Sequence, residues 1–191
     1  PIYIANRILE DDLRIMVFFN AKLVNENIKY DLAHPQSPKT TFGFVAEGLR
    51  KRKAVGNGPI TILSCDNLQH NGNTARKAFL SFFQAQDPEL AEWATVNITF
   101  PNSMVDRITP STQPEDIIRL NTQNGTQDGA PVYCEDFIQW VVEDKFIAGR
   151  PAWEKVGVEF TQDVTTYENM KLSLLNASHT LLSYPAFLSG Y

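Results

Sequence analysis

Residues 60–84 read ITILSCDNLQHNGNTARKAFLSFFQ. The first five, Ile60 to Ser64, are apolar or β-branched and lie between Pro59 and Asp66, which is typical of a buried strand. A polar loop follows, and the residues from about Thr74 to Gln84 then predict a helix. Strands and helices alternate in this way along this half of the chain, which predicts an α/β fold with a largely parallel sheet.

The rest of the chain supplies further elements of both kinds. One helix is expected to begin at Thr40 or Thr41 and to end at Gly56-Asn57-Gly58, and another to begin at Asp87-Pro88, since Pro suits the first helical position. Further strands are predicted at Leu13–Phe19, Val96–Phe100, Ala130–Cys134 and Val156–Phe160. Residues 137–146, FIQWVVEDKF, fit a strand or a short helix, and residues 114–129 a short helix followed by a surface loop.

Near its end the chain changes character. Residues 166–184 read TYENMKLSLLNASHTLLSY and predict one long helix, because no Gly or Pro interrupts them before Pro185. On an α-helical wheel four polar residues fall within an arc of about 140°. They are Lys171, Glu168, His179 and Asn176. Apolar residues surround this polar set, so we expect a buried helix whose Lys, Asn and His reach into a site.

Composition excludes several classes of function. The 191 residues are 43% hydrophobic and 20% charged, with a net charge of −5, which fits a globular protein without a basic field for nucleic acid. The basic run Arg50–Lys53 suits the solvated end of a helix. There is no apolar run of membrane-spanning length and no signal-peptide pattern, so a cytoplasmic location is expected. The two cysteines, Cys65 and Cys134, have no metal-ligand spacing; a buried, reduced pair and no metal site are expected.

Three polar segments are candidates for chemistry. The loop Ser64–Asn67 follows a strand, where ligands bind in open α/β sheets, although turn statistics alone favour the alternative that Asp66 and Asn67 shape a turn or cap the next helix. The second segment is Asn102–Arg107, for which an exposed ion-pairing residue and a turn residue are the alternative.

The third candidate is the polar set of the long helix. A buried lysine has a depressed pKa and can act as a general base, and asparagine amides can donate hydrogen bonds to a developing alkoxide. The alternative is a Lys that extends to solvent, an Asn bonded to the backbone and a hydrogen-bonded core His.

Four stretches resemble the polyol-specific long-chain dehydrogenases, the family of mannitol 2-dehydrogenase. They are MKLSLLNASH from Met170, TFPNSMVDRITP from Thr99, SCDNLQHNG from Ser64 and GRPAWEKVGVEF from Gly149. The resemblance covers roughly residues 25 to 191, and its matches occur in the family's order. It implies a zinc-independent oxidation of a polyol secondary alcohol with NAD, or NADP, as cofactor, or the reverse reduction of a ketose.

The resemblance also implies roles for single residues. Lys171 would be the general acid/base, and Asn67 and Asn176 would hold the reacting oxygen. His179 would bind and orient the substrate, and Glu168 would assist proton passage. Asp106, with Ser103 and Val105, would lie at the nicotinamide end of the cofactor.

The chain departs from the family at both ends. It lacks the glycine-rich phosphate-binding turn after the first strand, and it stops soon after the catalytic helix. We therefore expect an internal fragment: residues 1–163 as the second part of a Rossmann-like cofactor domain, and residues 164–191, beyond a boundary near Asp163, as the start of an all-α substrate domain. The isolated chain is expected to be inactive.

Mannitol to fructose is the favoured reaction. A fructuronate- or tagaturonate-type sugar-acid reductase is one alternative, and a non-catalytic remnant without the cofactor loop is another. The sequence leaves open the choice between NAD and NADP, the particular polyol, the oligomeric state and the role of residues 1–23. No nucleic-acid or membrane partner is expected.

Overall fold

A parallel sheet forms the centre of the first half of the molecule. The computed structural model describes the backbone of residues 15–18 and all of residues 26–191. Within these residues, strands β1 (Ile15–Phe18), β2 (Ile60–Ser64) and β3 (Ile98–Thr99) pair side by side in that order, all parallel. Every residue of β2 is buried, as its uninterrupted apolar sequence predicts for a central strand. The outer residues of the predicted strand at 13–19, and most of residues 1–23, lie outside the described part.

Four helices of the described residues accompany this sheet. They are α1 (Glu26–Ala33), α2 (Thr41–Ala54), α3 (Asn71–Gln86) and α4 (Pro88–Asn97). Thr40 caps α2 as predicted, since its side chain accepts a hydrogen bond from the Gly43 N–H. Asp87 likewise accepts from the Leu90 N–H at 3.0 Å, with Pro88 in the first helical position of α4. The basic run at the end of α2 is only partly solvated, because Arg52 is buried and donates to the Gly58 carbonyl at 2.7 Å.

The main core lies between β2, β3 and these helices. Its large buried side chains include Leu49, Ile60, Ile62, Phe79, Phe83 and Leu90. The Phe79 ring is fully buried, with its centroid 4.7 Å from that of Phe42 and 5.8 Å from that of Phe83. This core fixes the orientation of β2 and α3, and most of the SCDNLQHNG stretch forms the loop between them.

The predicted strand Val96–Phe100 is mostly wrong. Helix α4 continues through Val96 to Asn97, and only Ile98 and Thr99 pair with β2. The Asn97 side-chain amide donates to the Trp93 carbonyl one turn back, which favours continuation of the helix over the β-propensity of Val96.

A second sheet contains β4 (Ser103–Asp106), β5 (Gln139–Glu143) and β6 (Glu159–Thr161). Strand β5 lies in the middle, antiparallel to β4 and parallel to β6. The segment 137–146, for which the sequence left strand or helix open, therefore contains a strand over Gln139–Glu143. The prediction for Val156–Phe160 is right only at its end, because Trp153–Val156 forms a short 3₁₀ helix.

The predicted strand Ala130–Cys134 is wrong. These residues form no strand and are held by side chains: Thr112 donates to the Pro131 carbonyl at 2.8 Å, and Arg119 donates to the Tyr133 hydroxyl at 2.7 Å. Thr112 lies just before helix α5 (Pro114–Asn124), and Arg119 lies within it. This helix confirms the short helix predicted there.

The last part of the chain is helical. Helix α6 (Thr165–Met170), a π-helical turn (Lys171–Asn176) and helix α7 (Ala177–Leu188) follow one another without interruption, and α7 includes Pro185. The change from sheet to helix falls at Asp163, but the division into two domains there stays a prediction. Among the described residues, no helix is both long enough and apolar enough to cross a bilayer.

Candidate active site

The amino group of Lys171 lies where three segments of the fold meet. Its Nζ donates to the Asn67 Oδ1 at 2.9 Å and to the Val105 carbonyl oxygen at 2.5 Å, and it lies 4.0 Å from the Asp106 Oδ1. Only 12% of the lysine side chain is exposed. Asn67 follows β2, and Val105 and Asp106 end β4, so both candidate loops from the sequence meet the candidate helix at this lysine.

The π-helical turn brings Asn176 to the same side of the helix as Lys171. In this turn the Ala177 N–H donates to the Leu172 carbonyl, five residues back. Residues five apart then lie closer together around the helix axis than in an α-helix, where about 140° separates them. Lys171 and Asn176, which the α-helical wheel separates most widely, thus line one cleft.

This cleft, which we call the Lys171 cleft, has a volume of about 410 Å³. Its lining includes Asn67, Val105, Asp106, Lys171, Asn176 and His179. An ammonium group can only donate hydrogen bonds, so its bond to Asn67 Oδ1 orients that amide and leaves the amide NH₂ facing away from the lysine. Two amides, one amino group and one imidazole can therefore surround a substrate oxygen.

Glu168 lies on the other side of the lysine, where both residues line a smaller cavity. Its side chain is 5% exposed, and its Oε1 accepts from the His70 backbone N–H at 2.9 Å. The Oε2 has no hydrogen-bond donor among the described residues, and the His70 Nδ1 lies 3.6 Å from it. His70 has a positive φ of 51°, and in this conformation its backbone N–H is directed at Glu168 of α6. Glu168 is thus beside the lysine but does not line the Lys171 cleft.

Ser103, one of the predicted site residues, is buried and hydrogen-bonded within the fold. It is 2% exposed, and its hydroxyl donates to the Ser64 carbonyl at 2.6 Å. The neighbouring Cys65 lines the Lys171 cleft but is 7% exposed. Burial raises the pKa of this thiol to about 11, an effect that a hydrogen bond with Ser103 partly offsets. The expectation of two buried cysteines is wrong for Cys134, which is exposed.

The expectation of a buried helix is also wrong for most of its length. Residues 177–191 are all exposed, and Leu181, Leu182 and Phe187 are each more than 60% exposed. Only the first two turns, with Glu168 and Lys171, pack closely against the sheets. The described residues provide no cover for the apolar side chains of α7, although their spacing on the helix is that of a buried element.

Sequence reasoning assigned no role to the buried polar residues beneath the site, although Asn102 begins one of the candidate segments. Asn71 joins β2 to β4, and Asn102 joins β4 to the buried carboxylate of Glu143, which also pairs with Lys145 at 2.9 Å. The stretch SCDNLQHNG was identified by its resemblance to the family, but no role was assigned to Asn71, which lies within it. Its position at the start of a helix next to a glycine is the one signal that could have indicated it. Among the described residues, no group of three His, Cys, Asp or Glu side chains is arranged to hold a metal.

Comparisons with known proteins all indicate the same family. The family model of the mannitol dehydrogenase Rossmann domain matches residues 14–155. The polyol:NADP oxidoreductase of Gluconobacter oxydans (strain 621H) is 52% identical over 169 residues, which are 88% of this chain and 35% of that protein. The D-mannonate oxidoreductase of Escherichia coli (strain K12) is 47% identical, with the same two coverages.

A solved structure agrees in fold as well as in sequence. The ternary complex of Pseudomonas fluorescens mannitol 2-dehydrogenase with NAD and D-mannitol superposes with a TM-score of 0.85 at 46% identity, over 99% of this chain and 41% of that one. The chain spans about a third of the length of the curated relatives it matches. The family match covers well over half of its residues, and the chain belongs to the mannitol dehydrogenase family.

Proposed function

We propose that this chain forms the catalytic face of an NAD(P)-dependent polyol dehydrogenase, which oxidises a secondary alcohol of an open-chain polyol to a ketone. The observation that carries the proposal is the position of the Lys171 amino group, held by Asn67 and Val105 at the edge of a cleft that Asn176 and His179 also line. Mannitol to fructose is the leading reaction, since one relative of this fold is a complex with D-mannitol and NAD.

The residues present fit the reacting end of the cofactor. The Lys171 cleft lies beyond the carboxyl end of β2, where α/β sheets bind nucleotides, and its volume is that of a small-molecule site. Asp106 and Val105 line it and would hold the nicotinamide end, and Ser103 would support them from below. The first glycine of the chain is Gly43, so no glycine-rich turn for the phosphates follows β1.

The chain's own residues would perform the proton chemistry. Bound nicotinamide supplies a hydride acceptor for the carbinol carbon. The neutral amine of Lys171 takes the proton of the hydroxyl group, and in the reverse direction the ammonium returns it to the carbonyl oxygen. The amides of Asn67 and Asn176 donate hydrogen bonds to the oxygen as it gains alkoxide character, and His179 orients the substrate. Glu168, beside the lysine, would accept the proton on its way to solvent.

A sugar-acid oxidoreductase is the second candidate. It is supported by the 47% identity with a D-mannonate oxidoreductase and by Arg107, a cationic residue that lines the Lys171 cleft. A carboxylate at the end of the substrate would bind near this guanidinium. Mannitol, sorbitol, arabinitol and mannonate, each with NAD and NADP, would discriminate between the two candidates.

Replacing Lys171 by alanine tests the proposal. The variant and the wild type are expressed from the whole reading frame, and formation of reduced nicotinamide is followed by absorbance. We expect kcat to fall by about 10²- to 10⁴-fold, the range for loss of a general acid/base. The matched control is Lys155→Ala, which removes an exposed lysine from the 3₁₀ helix and should leave kcat unchanged.

Near-normal turnover of Lys171→Ala would refute the role of the lysine. A folded wild type that is inactive with every substrate and both cofactors would instead favour the non-catalytic remnant.

A further inference from the structure

The side chain of Asn71 connects the two sheets at the site. Strands β2 and β4 belong to different sheets. The Asn71 Nδ2 donates to the Asp66 carbonyl oxygen at 2.9 Å, just beyond β2, and to the Ser103 carbonyl oxygen at 2.8 Å, at the start of β4. Its Oδ1 accepts from the Ser103 N–H at 2.9 Å. Asn71 is 1% exposed, so these bonds do not compete with water.

Few side chains could replace this amide. The junction needs two donors and one acceptor on a short side chain, which asparagine provides. An aspartate of the same shape has no donor when ionised, and it would face two carbonyl oxygens. A serine offers a single donor, and a glutamine is longer by one methylene group in a fully packed space.

The backbone around Asn71 is shaped to bring it there. The next residue is Gly72, and a Cβ at this position would lie only 2.3 Å from the Pro101 carbonyl oxygen. One residue further, the Asn73 N–H donates to the Asn102 Oδ1 at 3.0 Å. The first turn of α3 thus packs directly against the segment that leads into β4.

The two segments that Asn71 joins are those that hold Lys171. Asn67, which accepts from the lysine, directly follows Asp66, and Val105, which also accepts from it, lies two residues after Ser103. Each of these acceptors is therefore one or two residues from an atom bonded to Asn71. The distance between the two acceptors, and hence the place of the amino group, depends on the junction.

We propose that Asn71 is a positioning residue for Lys171: it fixes the separation of the Asn67 and Val105 oxygens so that both hold the lysine amine at the Lys171 cleft. The catalytic consequence rests on the function proposed above, but the positioning itself does not. A purely structural Asn71 would affect stability and leave the lysine where it is.

The test compares two Asn71 variants with a control that loses a buried hydrogen bond away from the site. Asn71→Asp keeps the shape and removes both donors, and Asn71→Ser removes one donor without adding charge. The control, Thr61→Val, removes the buried hydrogen bond of 2.9 Å between the Thr61 and Thr99 hydroxyls, elsewhere in the same parallel sheet. Thermal unfolding establishes that the variants fold and how much stability each has lost.

Two readouts separate positioning from stability. The first is the labelling rate of Lys171 by an amine-reactive ester, measured by mass spectrometry relative to the exposed Lys155. It should rise severalfold in both Asn71 variants and stay unchanged in Thr61→Val. The second is the pH profile of kcat, which should change in shape in both Asn71 variants, while kcat falls about 10- to 100-fold, the effect of misplacing a catalytic group by about 1 Å.

The outcomes are distinct. Wild-type labelling of Lys171, with kcat within about twofold of Thr61→Val, would overturn the proposal. An effect seen in Asn71→Asp but not in Asn71→Ser would be due to the added charge, and it would also overturn the proposal. If Lys171→Ala retains turnover, the proposed function fails, but the labelling rate still tests whether Asn71 positions the lysine. Should Asn71→Asp not fold, Asn71→Ser carries the same comparison.

Discussion

Replacing Gly72 by alanine should destabilise the protein strongly, although glycine here has no unusual backbone conformation. The added Cβ would lie 2.3 Å from the Pro101 carbonyl oxygen and 2.6 Å from that of Phe100. Both atoms belong to the backbone, so no side chain can rotate away. Ordinary contact begins near 3.4 Å, which means that α3 and the segment before β4 must separate by about 1.1 Å.

That separation has a cost that can be approximated. Overpacking alone costs about 1 to 3 kcal/mol. The Asn73–Asn102 bond and at least one of the Asn71 bonds would also stretch or break, at about 1 kcal/mol each. We therefore expect a loss of about 3 to 5 kcal/mol in the free energy of unfolding, or a Tm lower by roughly 6 to 20 °C for a chain of this size.

Urea and thermal unfolding, followed by circular dichroism, would measure this loss. Gly129→Ala is the matched control, since Gly129 is exposed and a Cβ there meets no atom within 4 Å. It should change the unfolding free energy by less than about 0.5 kcal/mol. A Gly72→Ala protein that melts within about 2 °C of the wild type would show that the close approach of α3 to residues 100–103 is not a packed contact.

Two further predictions concern the core and the thiols. Phe79→Ala should cost about 3 to 5 kcal/mol, because the ring is fully buried against other aromatic rings; a loss below about 1 kcal/mol in urea titration would contradict this packing. Ellman's reagent at pH 8 should modify the exposed Cys134 rapidly and Cys65 slowly, because burial raises the pKa of Cys65 to about 11 and only the thiolate reacts. The Cys65 rate should increase as the pH rises towards 11, and equal rates for both thiols in the folded protein would be inconsistent with the buried position.

The parts of the fold that sequence predicts well are those whose signal is local. The strand Ile60–Ser64 is confirmed, because a short apolar run between two strand-breaking residues is compatible with few structures other than a buried strand. The helix that starts at Thr41 is also confirmed, and its cap was visible in the sequence. The segment 137–146 could not be decided locally. Its strand, Gln139–Glu143, exists because β4 lies on one side and β6 on the other, and these partners are far away in sequence.

The site shows the same limit more sharply. Helical periodicity identified the polar set around Lys171, but it could not show that Asn67, 104 positions earlier, lies 2.9 Å from the lysine amine. Only the resemblance to a family indicated that these residues meet. Asn71 escaped both approaches, since a buried amide with three partners resembles any other polar residue at the start of a helix until the partners are known.

The π-helical turn has a further consequence, which concerns chain length. Such a turn holds one residue more than the α-helical path through the same segment, and it persists only while its surroundings favour the wider hydrogen bonds. Closure of this segment into a regular α-helix with all its residues kept would turn everything beyond it by about 100° about the helix axis relative to Lys171. His179 would then face a different direction, and the loss of one residue between Lys171 and Asn176 would restore it. In this stretch the number of residues, as much as their identity, determines what the helix presents to a substrate.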